Sequence, residues 1–455
     1  MFQWKRSGNL KIALLMLMIF VLGITIGMGR SHRVSALSNS AYEDLKIFSD
    51  VLGLVQKDYV EEPKPKDLVY GAIKGMLETL DPHSAFMTPE TYKEMQAETK
   101  GRFEGLGMEI STKEGVLTVV SPIEDTPAFK AGVLAGDQIL KIEGEPTKNL
   151  TLMESVKRLR GPKGSKVTIT IMREGFAKPK EFTMIRDVIP VRSVRHELLE
   201  KHYGYIRVSQ FQEKTDGEFE KAVKALEEEG KGNLWGLVLD LRNNPGGLLD
   251  QAVKVSDRFV DSGLIVSMDG RKEEQKIKFY AHPGSTLTRY PLVVMVNGGS
   301  ASGAEIVAGA IQDHHRGILI GTQTFGKGSV QTIFPLPDGS GLRLTTARYF
   351  TPSGRSIQAK GITPDIIVKP STSEEEKIAP PKHPMEKDLE RHLIDTEKGV
   401  PKEKDKVKKE EPKEKEKVKK EEPKEKEKKP VDNQLERALE LLKSWEIFKS
   451  VAQGK

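Results

Sequence analysis

Residues 291–311 read PLVVMVNGGSASGAEIVAGAI. An unbroken apolar run, Pro291 to Val296, gives way to a Gly/Ser-rich turn and then to apolar residues at helical spacing. That order predicts a buried strand, a tight turn and a helix, the repeating unit of an α/β sheet. Ser302 falls at the turn. There the unpaired N–H groups of a first helical turn, with the helix dipole, can hold a developing oxyanion. A serine before a helix is also an ordinary N-cap, so the segment alone supports both readings.

Lys327 stands twenty-five residues further on, in GTQTFGKGSVQ, Gly321 to Gln331, after a second short strand-like run, Gly317 to Ile320. A lysine that is partly desolvated releases its proton more readily. It can then take one from a serine hydroxyl without histidine. Two other readings stand beside this one. A lysine between glycines is commonly a solvated turn residue. Gly321 to Lys327 also fits most of a phosphate-binding loop, but Gly328 occupies the place of the Ser or Thr that would hold magnesium.

Upstream lie Asp240-Leu241-Arg242-Asn243-Asn244-Pro245-Gly246-Gly247 and Leu80-Asp81-Pro82-His83-Ser84. Together with Gly299-Ser300-Ala301-Ser302, Glu305, Phe325-Gly326-Lys327-Gly328 and Gln331, these stretches resemble four ordered motifs of the C-terminal processing peptidases, or tail-specific proteases. The resemblance runs from about residue 45 to 370, with a helix at 433–447 as a terminal piece. It implies a multi-domain α/β protein: a crotonase-like protease core with an inserted PDZ domain and flanking helical segments. Ser302 is then the nucleophile, Lys327 the base and Gln331 the group that orients the lysine. The resemblance places the backbone N–H groups of Gly246 and Gly303 at the oxyanion hole. Glu305 is either a further support of the lysine or only a helix-start cap. His83 is expected to be structural, in a capping turn. No metal or cofactor is implied. Gly303 departs from the family, which more often has Ala or Ser there. The alternative function is a PDZ scaffold whose protease-like core is inactive.

Composition sets the frame. The chain has 455 residues, 37% hydrophobic, with net charge +6. That is enough apolar material for cores in more than one domain. There are no cysteines, which excludes disulfides, thiol catalysis and cysteine metal sites. Much of the charge sits in a Lys/Glu-rich tail, so no nucleic-acid partner is read from it.

Residues 1–40 are read as a signal or anchor. Lys5, Arg6 and Lys11 precede the apolar stretch Ile12 to Met28. Arg30 and Arg33 before Val34-Ser35-Ala36 favour an uncleaved anchor in the cytoplasmic membrane, with the body outside the cytoplasm, over a cleaved and secreted form. Residues 41–103 are expected to be helical, with Leu45, Phe48, Val51, Leu52 and Val55 on one stripe and Leu68, Ile73 and Leu77 on a second. Residues 104–187 resemble a PDZ domain. Gly105-Leu106-Gly107-Met108 is its carboxylate-holding loop, and a protein or peptide substrate with a free C-terminus adds as a strand beside Met108 to Ile110. The core, 188–371, is expected to place strands at 203–209, 234–241, 292–297 and 317–321, and helices at 215–229, 247–258 and 301–312.

Residues 372–430 read as a charged low-complexity linker, with prolines 401, 412 and 423 marking an eleven-residue repeat that cannot bury a core. Residues 431–455 carry Leu435, Leu439, Leu441, Leu442, Trp445 and Phe448 at helical spacing. They form an amphipathic helix expected to dock on the body or to make a homodimer.

Overall fold

The computed structural model describes residues 39–113, 115–148, 150–284, 286–371, 385–393 and 432–452. The apolar stretch Ile12 to Met28 and the Lys/Glu repeat lie outside the described residues. Among the described residues, no helix is long and apolar enough to cross a membrane.

Two compact units are present, divided after Ile73. The first holds α1 (Asn39–Asp58) and most of α2 (Pro65–Glu78). Both helices fall where the apolar spacing expects them. The second unit begins at the end of α2. There the short strand β1 (Ala85–Met87) breaks the expected helical run of 41–103, and the helix α3 (Pro89–Thr99) resumes it. Pro82 precedes β1, and Pro89 sits at the start of α3 behind its N-cap Thr88, a position proline tolerates because its missing N–H would be unpaired anyway.

The region expected to be a PDZ domain is an insertion closed by a two-stranded ladder. Strand β2 (Arg102–Gly105) leads in, and a later strand, Asp187–Pro190, leads out antiparallel to it. Between them run β3 (Met108–Lys113), β4 (Val116–Pro122), a short α4 (Pro127–Lys130), β5 (Gln138–Ile142), β6 (Glu145–Pro146), α5 (Leu152–Leu159), β7 (Lys166–Met172) and β8 (Lys180–Ile185), with Asp187–Pro190 as β9. The sheet order is β3-β4-β5-β7-β8, with β6 on β5. Alternate residues of β7 (Val167, Ile169, Ile171) point into one core with Leu117, Val119, Ile139 and Ile142, as period-two patterning requires. A reciprocal capping box starts α5. Thr151 N–H donates to Glu154 Oε2 (2.8 Å), and Glu154 N–H donates to Thr151 Oγ1 (3.2 Å).

The α/β core follows as β10 (Val194–Leu199), β11 (Tyr203–Val208), α6 (Thr215–Glu229), β12 (Gly236–Asp240), α7 (Leu249–Asp257), β13 (Leu264–Gly270), β14 (Ile277–Tyr280), β15 (Leu292–Val296), α8 (Gly303–Asp313), β16 (Ile318–Gly321), β17 (Ser329–Pro335), β18 (Gly341–Phe350) and β19 (Ile366–Ile367). The main sheet has the order β10-β11-β12-β15-β16-β19. All its neighbours are parallel except β10 with β11. Its two faces are separated residue by residue. Ile206, Leu237, Leu239, Val294 and Leu319 pack with Phe219 of α6, Val255 of α7 and Val307 of α8. The intervening Tyr203, Val238, Val293, Met295 and Ile320 pack with Ala438 and Leu442 of α9 (Asn433–Ala452). The terminal helix therefore docks on the body. Arg242 anchors its start, donating to Asp432 and Gln434 while gripping the fully buried Asp240.

A second, antiparallel sheet has the order β1-β18-β13-β14, with β17 also paired to β18. The expected linker 372–430 is not uniform. Residues 385–393 are structured, with a 3-10 turn at Glu386–Asp388, and Glu386 is buried.

Candidate active site

Strand β15 delivers the turn that carries Ser302. The turn is tied locally: Asn297 N–H donates to Ser300 Oγ (3.0 Å), and Ser300 Oγ donates to the Leu241 carbonyl (2.8 Å). Ala301 N–H donates to the Asn244 carbonyl (2.9 Å), so the Asp240–Gly247 motif braces the same turn. Ser302 itself has φ 51° and ψ −112°. That backbone state costs energy for any residue with a Cβ. Helix α8 starts directly after it. The Glu305 N–H is spent on the Ser302 carbonyl (2.9 Å), and the Ser302 N–H donates to Glu305 Oε2 (2.8 Å).

Glu305 is fully buried and joins both halves of the expected pair. Its Oε1 accepts from Thr324 Oγ1 (2.5 Å) and Gly326 N (2.7 Å). Its Oε2 accepts from Ser302 N (2.8 Å) and Lys327 N (2.9 Å). One oxygen atom thus touches the backbone of both residues. Glu305 caps the helix start and at the same time bridges to the lysine loop. Burial pushes its carboxyl up to about 7, against the four donated hydrogen bonds, which favour the ionised form.

The loop around Lys327 is held at every step. Phe325 N–H donates to the Ser300 carbonyl (3.0 Å), and Ala359 N–H to the Gly326 carbonyl (2.8 Å). Gly328 N–H donates to Gln358 Oε1 (3.0 Å), and Tyr349 N–H to the Gly328 carbonyl (2.7 Å). A Cβ on Gly328 would lie 2.4 Å from Gln358 N, so no larger residue fits between them. Burial lowers the proton affinity of the Lys327 amine, and Arg343 adds to this; the carboxylates of Glu386, Asp81 and Glu305 oppose it.

Gln331 lies on β17 just past a β-bulge against β18. Its Nε2 donates to Ser329 Oγ (2.9 Å) and Thr345 Oγ1 (3.4 Å). Thr345 Oγ1 in turn donates to Asp81 Oδ1 (3.1 Å). The Leu80–Ser84 motif is thereby brought beside the lysine strand. Asp81 Oδ1 accepts from His83 N (2.8 Å) and from Ser84 N (2.8 Å). This is the self-capped turn expected of the motif. Burial raises the Asp81 carboxyl, but bonds from Ser84, His83 and Thr345 outweigh it and leave it below its ordinary value.

Gly246 sits against the nucleophile: a Cβ on it would lie 2.8 Å from both Gly303 N and Ser302 Cβ. Its own N–H donates to Asn244 Oδ1 (2.8 Å). Gly303 has a local cause, because a Cβ there would meet Phe211 Cδ2 at 3.0 Å. Sequence reasoning passed over Gln358 and Glu386, which reach the lysine loop from outside the recognised motifs. Among the described residues, no cluster of His, Asp or Glu could hold a metal ion.

Family models match three regions: peptidase family S41 at 202–368, a PDZ domain at 105–195, and the N-terminal domain of the activating protease CtpB at 28–91. A carboxy-terminal-processing protease of Bartonella bacilliformis is 48% identical over 360 residues, 79% of this chain and 82% of that one. The chain belongs to the carboxy-terminal-processing protease family. It is a serine-type peptidase with a PDZ domain. The carboxy-terminal processing protease CtpA of Bacillus subtilis is 39% identical over 329 residues, 72% of this chain and 67% of that one. Among solved structures, the photosystem II D1 C-terminal processing protease is 31% identical, covers 70% of this chain and 86% of its own, and superposes with a TM-score of 0.43.

In this C-terminal processing protease, the PDZ strand β3 is an edge strand, hydrogen-bonded on one side to β4. The loop before it, Gly105 to Met108, is firmly built. Gly107 has φ 75°, and a Cβ would lie 2.4 Å from Thr126. The Leu106 carbonyl accepts from Ala128 N (2.9 Å). Leu106 is 2% exposed and belongs to the domain core. Its side chain therefore faces inward.

Proposed function

We propose that this peptidase cleaves proteins near their C-termini by a Ser302–Lys327 mechanism. Ser302 Oγ attacks the scissile carbonyl carbon, and neutral Lys327 Nζ takes the hydroxyl proton. The carbonyl π electrons move to oxygen, giving an oxyanion beside the Gly303 N–H at the start of α8. Gly246 N–H joins that hole by exchanging Asn244 Oδ1 for the oxyanion. Collapse breaks the C–N bond, and the leaving amine takes the proton from Lys327. Water, deprotonated by Lys327, then attacks the acyl carbon; the ester C–O bond to Ser302 breaks, and Lys327 returns the proton to Ser302 Oγ. Gln331 orients the lysine through its amide oxygen, its nitrogen being engaged by Ser329 and Thr345. The observation that carries the reading is Glu305 Oε2, shared by the backbone nitrogens of Ser302 and Lys327.

The substrate tail adds beside β3, with its carboxylate on the Gly105–Met108 backbone. The basic and apolar N-terminus supports a membrane-anchored body outside the cytoplasm.

Ser302→Ala and Lys327→Ala test the mechanism on a tailed peptide. Each is expected to lower kcat by at least about three orders of magnitude while the protein stays folded, because members of one catalytic unit fail together. Wild-type activity should rise from mildly acidic to alkaline pH, as the lysine becomes neutral. Turnover by Lys327→Ala near the wild-type rate would remove the lysine from the chemistry. A wild type without turnover would favour the PDZ scaffold.

A further inference from the structure

The peptidase-family match ends at residue 368, yet the chain returns to the site after it. Glu386 stands at 0% exposure in a segment otherwise flanked by charged low-complexity sequence. A buried carboxylate is tolerated only when it is well partnered. Its partners are all parts of the site's frame. The carboxylate accepts from His83 Nε2 (2.8 Å to Oε2, 3.0 Å to Oε1) and from Gln358 Nε2 (2.8 Å). Because a carboxylate only accepts, His83 Nε2 carries the hydrogen. The Glu386 N–H donates to the Phe325 carbonyl (3.1 Å). Gln358 passes the connection on, accepting from Gly328 N (3.0 Å). These bonds land two residues before Lys327 and one residue after it. Arg391, in the same segment, donates to the Glu78 carbonyl and fastens the segment's other end.

We propose that Glu386 is a positioning residue of this protease: seated between His83 and Gln358, it clamps the loop that presents Lys327, on contacts independent of Glu305. The segment 385–393 then belongs to the cleavage machinery and the spacer begins after it. The proposal rests on the Ser302–Lys327 reading. It also predicts an electrostatic signature. The charged groups facing Lys327 are Arg343, Glu386, Asp81 and Glu305. Glu386 favours the ammonium form. Although burial raises it, bonds from His83 and Gln358 hold its own carboxyl below the ordinary value, so it is ionised along the rising limb. Removing its charge therefore leaves Lys327 easier to deprotonate, while removing its bonds loosens the loop.

The test compares full-length wild type, Glu386→Gln, Glu386→Asp and Lys327→Ala on one short tailed peptide, over a range of pH, with thermal unfolding in parallel. For Glu386→Gln, kcat on the alkaline plateau is expected to fall about ten- to a hundredfold, the scale of a misplaced catalytic group. KM should stay within about twofold, since the loss is not one of substrate binding. The rising limb of kcat should move to lower pH. Glu386→Asp keeps the charge, so it should return the limb to its wild-type position and recover part of the rate. An unchanged kcat and an unmoved limb in Glu386→Gln would overturn the proposal. So would a fall in rate that tracks lost thermal stability with the limb unmoved, which assigns Glu386 to folding alone. Lys327→Ala separates the two levels: if it is inactive while Glu386→Gln is normal, only the role of Glu386 fails; if it is active, the Ser–Lys reading fails with it.

Discussion

The serine side and the lysine side of this site are built in opposite ways. Ser302 is held by its own neighbourhood: Asn297 and Ser300 tie the turn, Glu305 caps the helix, and the Asn244–Gly246 turn lies against it. Its distinctive property is a strained backbone, with φ 51°. Lys327 sits in a loop whose environment is gathered from across the chain, from Asp81 and His83 near its beginning to Gln358 and Glu386 near its end. Its distinctive property is a lowered proton affinity. A nucleophile can thus be set by local geometry, whereas a lysine base needs burial and a balance of charges that no short segment supplies.

The sharpest way to break the serine side alone is Gly246→Ala. The new Cβ would fall 2.8 Å from Gly303 N and Ser302 Cβ and 2.9 Å from the Ala301 carbonyl oxygen, at φ +99°. It fills the space that the proposed oxyanion would need. A loss of about two to three orders of magnitude in kcat is expected, the size of a removed oxyanion donor. The pH at which the activity rises should not move, because the lysine side is untouched. A displaced limb would mean that the two sides are not separable.

Glu305→Gln strikes the one group common to both sides, and a smaller effect is expected. Four donors converge on Glu305. An amide offers one oxygen. If that oxygen keeps Ser302 N and Lys327 N, the NH2 faces Thr324 and Gly326. The threonine hydroxyl can turn to accept, but Gly326 N–H is left without an acceptor. One unpaired buried donor costs about 1–3 kcal/mol, which thermal or denaturant unfolding would read. A fall of about a hundredfold in kcat should accompany it, from the loosened loop. Wild-type stability and rate together would show that the bridge is incidental.

The same contrast decides what can be read without coordinates. The Pro291–Ile311 stretch yields its strand, turn and helix because burial and period are written locally; β15 and α8 lie within a few residues of their expected limits. The parallel strands β11, β12 and β16 and the helix α6 are legible for the same reason, whereas the two-residue β19 is not. The antiparallel sheet is not. Strand β18, GLRLTTARYF, mixes Arg and Thr with apolar residues, the adjacent Thr345 and Thr346 break its alternation, and most of it is only half-buried. Strand β1 has three residues and exists by pairing with β18 across the chain. The Asp81 turn that holds His83 is local and therefore legible, but the partner of that histidine, Glu386, lies some three hundred residues away. Nothing in a Lys/Glu-rich stretch marks that one glutamate as buried. Gly246 is a mixed case: its place beside Ser302 is expected from the motifs, whereas the bond from its N–H to Asn244 is invisible in them.

The PDZ domain lies outside both sides, so a change there should alter binding and spare chemistry. Its edge strand β3 and the Gly105–Met108 loop are expected to take a free carboxylate on backbone N–H groups. Amidating the last residue of a substrate peptide removes the charge those groups would meet. The loss of one charge-assisted site is about 1.5–3 kcal/mol, roughly ten- to a hundredfold in apparent affinity. It should appear in KM, with kcat at saturation close to that of the free acid. A polar residue at Leu106 is a poor probe of the same idea. That side chain is buried in the domain core. Leu106→Asp would place an unpaired charge there and unfold the domain before it altered recognition. Matched free and amidated peptides leave the protein unchanged and avoid that confusion. Equal kcat/KM for the two would show that the domain does not read the tail, and the serine and lysine sides would then act on chains selected by other means.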